Sequence, residues 1–91
     1  MNINDLYAVI LDRKENPTTS SYTTSLFKAG QDEICKKVGE EAIEVIIAAK
    51  GQGKQRLVEE VSDLTYHVLV LMAQNQVTPD DILGELEKRH R

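Results

Sequence analysis

Two stretches of about twenty residues, each apolar at helical spacing and joined by Gly51-Gln-Gly-Lys54, constrain this chain more than any other feature. From Gln31 to Lys50, Ile34, Val38, Ala42, Val45 and Ala49 recur at spacings of three and four and form one stripe of an α-helix. Ile43, Ile46 and Ile47 widen that stripe, so the helix needs cover on more than one side. From Gln55 to Asn75, Leu57, Val61, Leu64, Val68, Leu71 and Met72 stack in the same way, and Val58, Leu69 and Val70 spread apolar surface further. The short glycine-containing connection folds the two helices back on each other as an antiparallel hairpin.

The rest of the chain is also read as helix and turn, and no stretch alternates as a strand does. Ile3 to Arg13 places Ile3, Leu6, Val9 and Ile10 on one broad face, with Asn4 or Asp5 near its start. Glu15 to Thr24 is polar, holds a proline and a cluster of hydroxyls, and reads as a loop. A short turn of helix at Ser25–Ala29 ends at Gly30, where positive φ is cheap. Gly39, inside the first long helix, costs about 1 kcal/mol against alanine and marks close packing or a functional neighbour. Thr78-Pro-Asp-Asp81 starts a last helix: Thr78 caps, Pro79 suits the first position, and both aspartates face the positive end of the dipole. Ile82, Leu83 and Leu86 give that helix an apolar face, and it closes on Lys88-Arg-His-Arg91. The fold class expected is a small all-α bundle of about four main helices in a single domain, residues 1–91.

Ninety-one residues bury only about 60–65% of their unfolded surface, so one short core is marginally stable. Oligomerisation, a metal or disulfides are the usual supports. The single cysteine, Cys35, removes an internal disulfide and suits a reducing compartment. With apolar surface on the two long helices beyond what their short neighbours cover, a homodimer sharing one bundle is the expectation. Cys35 itself lacks a catalytic partner and reads as a small buried thiol.

The balance of charge excludes several classes of function. A net charge of −4, no tryptophan and one phenylalanine argue against nucleic-acid binding, which needs a basic face or aromatic stacking. No apolar run approaches the roughly 20 residues that span a bilayer. The amino terminus lacks the basic region and cleavage site of a signal peptide, so the expected location is the cytoplasm.

The chemistry lies in Glu40-Glu41-x-x-Glu44 and Glu60-x-x-Asp63. A spacing of three puts Glu41 with Glu44, and Glu60 with Asp63, on one face of their helices, beside the apolar stripes. Glu44 lies seven residues before Gly51 and Glu60 six after Lys54; Glu41 lies ten before and Asp63 nine after. At about 1.5 Å per residue the pairs match in height across the hairpin, so all four carboxylates can point into one site. Four such groups repel unless a proton or a cation neutralises them. Oxygen donors without a Cys/His cluster suit Mg²⁺ or Mn²⁺, which bind phosphate oxygens and point to phosphoryl or nucleotidyl chemistry. The plain alternative, acidic pairs solvating a helix surface, suits either pair alone better than both at matched heights.

These residues resemble the metal-binding signature of the all-α nucleoside triphosphate pyrophosphohydrolase (MazG-like) superfamily. Their setting adds more: Ser21-Tyr-Thr23, Leu26, Gly30, Lys37-Val-Gly-Glu-Glu41, Asp63-Leu-x-Tyr-His67 and Arg89-His90 are similar to the pattern of the phosphoribosyl-ATP pyrophosphatase family, from Arg13 to His90. The resemblance implies hydrolysis of phosphoribosyl-ATP to phosphoribosyl-AMP and pyrophosphate, the second step of histidine biosynthesis. It implies Glu41, Glu44, Glu60 and Asp63 as Mg²⁺ ligands, with Mn²⁺ a possible substitute. Glu40 then orients the attacking water, although a solvated residue or a partner for Lys36 fits it equally well. Lys37 binds phosphate or pairs with Glu41. Ser21, Tyr22 and Thr23 donate to the substrate, where capping and packing are the plainer roles. Arg13 and Arg89 take the ribosyl phosphate, against a plain reading as solvated charges. His67 either orients a carboxylate or is a satisfied core histidine, and His90 carries less. Two rivals stay open: a pyrophosphohydrolase of other nucleotides, and a non-catalytic dimerisation module with a structural cation.

Overall fold

The computed structural model describes residues 1–90, and among them it contains five helices and no strand. They are α1 (Ile3–Glu15), α2 (Tyr22–Ala29), α3 (Gln31–Gly51), α4 (Lys54–Gln74) and α5 (Pro79–Arg89). The all-α expectation holds. Helices α3 and α4 make the most extensive packing in the chain, an antiparallel hairpin turned on Gln52 and Gly53. Gly53 has a φ of 87° and Gly30, between α2 and α3, a φ of 96°, so both turns use the left-handed region that a glycine enters without a Cβ clash.

Helix ends follow local chemistry. Asn2 caps α1: its side chain accepts from the Asp5 N–H, and the Asp5 carboxylate accepts from the Asn2 N–H. Thr78 caps α5 as the sequence foretold, and Asp81 completes the same reciprocal box there. The second helix starts earlier than its hydroxyl-rich sequence suggests. Ser21 Oγ accepts from the Thr24 N–H, which starts α2 at Tyr22, while Glu15 still belongs to α1. The loop is thus only residues 16–21.

Tyr7, Ile10, Leu26, Ile34, Leu69, Val70 and Ala73 form the core where α1 and α2 lie against the hairpin. Several expected placements change. Ala48, not Ala49, ends the buried stripe of α3, and Cys35 is exposed because it faces away from buried Ile34. Ile3 and Val9 are also exposed, since α1 buries the edge defined by Tyr7 and Ile10. A Cβ built on Gly39 meets nothing within 4 Å, so no close contact inside this chain requires that glycine.

The Tyr7 hydroxyl donates to the Val77 carbonyl at 2.8 Å and ties α1 to the segment before α5. Burial first, and the charge of Asp81 second, push the Tyr7 phenol above its ordinary value of 10.0; burial likewise raises Tyr66. The unfolded chain ionises these phenols near pH 10, the folded chain only above it. Their contribution to stability is therefore complete below pH 10 and is lost as pH rises beyond it. Thermal melts at pH 8 and pH 10.5 are expected to show this loss. Tyr7→Phe should reduce the alkaline loss, while costing about 1 kcal/mol at pH 8 for the missing hydrogen bond.

Candidate metal centre

Glu41 reaches the hairpin interface from α3, and Glu60 and Asp63 reach it from α4, one turn apart. Each offers a carboxylate oxygen, and the three oxygens lie within 4.8 Å of one another. Glu60 is buried, Glu41 half-buried and Asp63 exposed, so the group grades from the hairpin interior to solvent. Oxygen donors at this spacing suit a hard divalent cation, since the same crowding leaves them mutually repelled without one.

Glu44 is exposed, one turn along α3 from Glu41, and does not join this group of three. Glu40 is exposed too, and its nearest cation is Lys37 at 4.0 Å. The Lys37 partner is therefore Glu40 rather than Glu41.

A positive charge that the spacing arguments passed over sits on the cluster. Arg56, one turn before Glu60 on α4, donates from Nη2 to the Glu60 carboxylate and from Nη1 to Glu59. Its signal was in the sequence as i,i+4 and i,i+3 acid–base spacings, which on most helices mean only surface pairing. The Glu59 hydrogen bond, then that of Glu60, raises the guanidinium further above its ordinary value. The Arg56 hydrogen bond, followed by that of Gln55, pulls the Glu59 carboxyl below its own.

The residues of α2 approach the same part of α4. Tyr22 is half-exposed, and its hydroxyl lies 2.9 Å from His67 Nε2; His67 Nδ1 lies 2.8 Å from the Asp63 carbonyl oxygen. A carbonyl only accepts, so Nδ1 carries the hydrogen, and in the neutral ring Nε2 accepts from Tyr22. His67 is therefore a buried, satisfied histidine that ties the start of α2 to the backbone of Asp63, and it pairs with no carboxylate among the described residues. Ser21 is occupied as the cap of α2, and the hydroxyl of buried Thr23 is bonded to Tyr66 inside the bundle.

The two arginines expected at the substrate phosphate pair with carboxylates outside the trio. Arg13 pairs with Asp12 at 2.8 Å and, with Lys14 and Lys28, borders a separate cleft of about 240 Å³. Arg89 pairs with Glu85 at 2.8 Å on α5, which packs only on α1 among the described helices. Exposed His90 follows it. No described helix is long and apolar enough to cross a membrane.

Fold and site together define an all-α bundle with three carboxylates gathered at its hairpin, an arrangement consistent with a divalent cation. Residues 3–90 match the model of the phosphoribosyl-ATP pyrophosphohydrolase family, and the chain belongs to that family. A phosphoribosyl-ATP pyrophosphatase of Clostridium botulinum (strain Hall) is 54% identical over 87 residues, covering 96% of this chain and 79% of the relative. That of Pelotomaculum thermopropionicum is 53% identical over 89 residues, 98% of this chain and 91% of the relative. A histidine biosynthesis bifunctional protein of Caldanaerobacter subterraneus subsp. tengcongensis is 52% identical over 89 residues, which span 43% of its own length.

Proposed function

We infer that this chain is an enzyme that hydrolyses phosphoribosyl-ATP to phosphoribosyl-AMP and pyrophosphate, the second step of histidine biosynthesis, working as a single-domain homodimer in the cytoplasm. The convergence of Glu41, Glu60 and Asp63 in a member of this family is the observation that carries the reading. These three carboxylates hold Mg²⁺, with Mn²⁺ as a substitute, and exposed Glu44 turns in as a fourth ligand. When bound, the cation offsets charge on the polyphosphate and lowers the pKa of a water. Glu40 orients the attacking water from the rim of the site. Lys37, one turn from Glu41, draws in a phosphate oxygen, and the Tyr22 hydroxyl contacts the substrate from the half-exposed start of α2. Arg13 and Arg89 are assigned to the ribosyl phosphate; Arg89 lies on α5, which packs on α1, and it serves a site completed by the second subunit.

Pyrophosphate release from phosphoribosyl-ATP, with and without Mg²⁺, tests the reading. Turnover is expected with Mg²⁺, its abolition by a chelator, and restoration when excess cation is returned. Faster turnover of other nucleoside triphosphates than of phosphoribosyl-ATP would overturn the substrate assignment, and activity surviving chelation would overturn the cation.

A further inference from the structure

Arg56 is the only cation in an ion pair with the carboxylate trio among the described residues. Its two contacts differ in kind. Glu60 is fixed, because its side chain is only 8% exposed, whereas the Arg56 side chain is 46% exposed and has room to rotate. Glu59, also 46% exposed, lies outside the trio and anchors the other arm of the guanidinium. A guanidinium on a buried carboxylate offsets the repulsion from the neighbouring acids, which is also what a bound divalent cation does there. The two positive charges therefore compete for Glu60, and binding the cation frees the fork of Arg56 at the edge of the site. A planar fork of N–H donors matches the oxygens of a phosphoryl group in two parallel hydrogen bonds.

We propose that Arg56 is an internal stand-in for the divalent cation on Glu60, and that on cation binding it turns outward to hold a phosphoryl oxygen of the polyphosphate. The proposal rests on the cation reading of the site given above, and adds a substrate-binding residue to it. It makes two predictions of opposite sign for Arg56→Gln. Mn²⁺ titrated into the full chain, followed by the free-ion paramagnetic resonance signal, is expected to bind about five- to tenfold more tightly once the competitor is gone. Inorganic pyrophosphate, titrated with the Mn²⁺ site filled, is expected to bind about tenfold or more weakly, because charge-assisted hydrogen bonds are lost. Without metal, Arg56→Gln melts at a lower temperature than the parent chain, and Mn²⁺ raises its melting temperature by more. Circular dichroism at low temperature checks that the helices are intact.

Unchanged or weaker Mn²⁺ binding in Arg56→Gln overturns the competition and leaves Arg56 as a support for Glu60. Unchanged pyrophosphate binding overturns the phosphate role. A parent chain that takes up no Mn²⁺ is a different failure, since it removes the cation site itself and with it the basis of the proposed function.

Discussion

Glu60→Gln is expected to lower kcat by roughly 10²–10³-fold while leaving the fold at least as stable as before. The two halves of this result have one cause. Glu60 is the buried member of three carboxylates whose oxygens lie within 4.8 Å of one another. An amide keeps the shape of the side chain and removes one of three mutually repelling charges, so the metal-free bundle is relieved rather than strained. Arg56 loses its ion pair in the exchange, but its half-exposed side chain is rehydrated and Glu59 still holds one arm. What the bundle gains, the site loses, since a neutral amide is a poor donor to a hard divalent ion. Glu41→Gln and Asp63→Asn are expected to follow the same pattern. Glu44→Gln tests whether an exposed side chain turns inward once a cation is present, and a comparable loss of turnover is expected. Thermal melting gives the readout that does not depend on activity. Mg²⁺ raises the melting temperature of the parent chain, because a ligand that binds only the folded state stabilises it by mass action. That increment should vanish in Glu60→Gln. Full turnover in Glu60→Gln or Asp63→Asn would remove those residues from the ligand set.

Local rules carried much of this structure. The hairpin followed from two apolar stripes and a glycine-containing turn, and counts matched to within one residue brought Glu41 to the level of Asp63, with Glu60 one helical turn nearer the connection. The start of α2 did not, because threonine-rich segments favour turns on propensity alone. There the Ser21 cap and the burial of Thr23, Thr24 and Leu26 against α1 and α3 prevail. Cys35 was misplaced by residue type: its position on the helix, about 100° from Ile34, points it outward whatever its usual preference. Glu44 shows the limit of height matching, which fixes the level of a side chain and leaves its rotamer free. Arg56 shows a different limit. Its spacing to Glu59 and Glu60 is plain in the sequence, but only the burial of Glu60 raises that pair above an ordinary surface contact. The surplus apolar residues of the hairpin were also legible, and the described helices leave Ile43, Ile46, Ile47, Val58 and Val61 exposed.

In the proposed homodimer, Ile46→Glu is expected to leave monomers at micromolar concentration and to lower the melting temperature by several degrees. Ile43, Ile46 and Ile47 on α3 are 59%, 58% and 45% exposed, and Val58 and Val61 on α4 are 49% and 42% exposed. Ile46 lies five residues before Gly51 and Val58 four after Lys54; Ile43 lies eight before and Val61 seven after. Ile43 and Ile46 thus stand at the heights of Val61 and Val58, which lets the exposed side chains line up as one apolar strip along the hairpin. Single exposed aliphatic residues are ordinary, but a contiguous strip of this kind marks a contact surface. In a two-fold pair the strip meets its own copy, with five half-exposed side chains from each chain. At about 1 kcal/mol for the remaining burial of each, the ten contribute about 10 kcal/mol, enough to offset much of the roughly 4–15 kcal/mol cost of association. A glutamate at position 46 puts an unpaired carboxylate in the middle of that contact, where desolvation costs several kcal/mol for each of two copies. Sedimentation of the parent chain decides the premise: a stable monomer at micromolar concentration sinks the dimer. A parent dimer that persists in Ile46→Glu instead places the interface on another surface, such as the groove of Ile3, Leu69, Met72, Ile82, Leu83 and Leu86 beside α5.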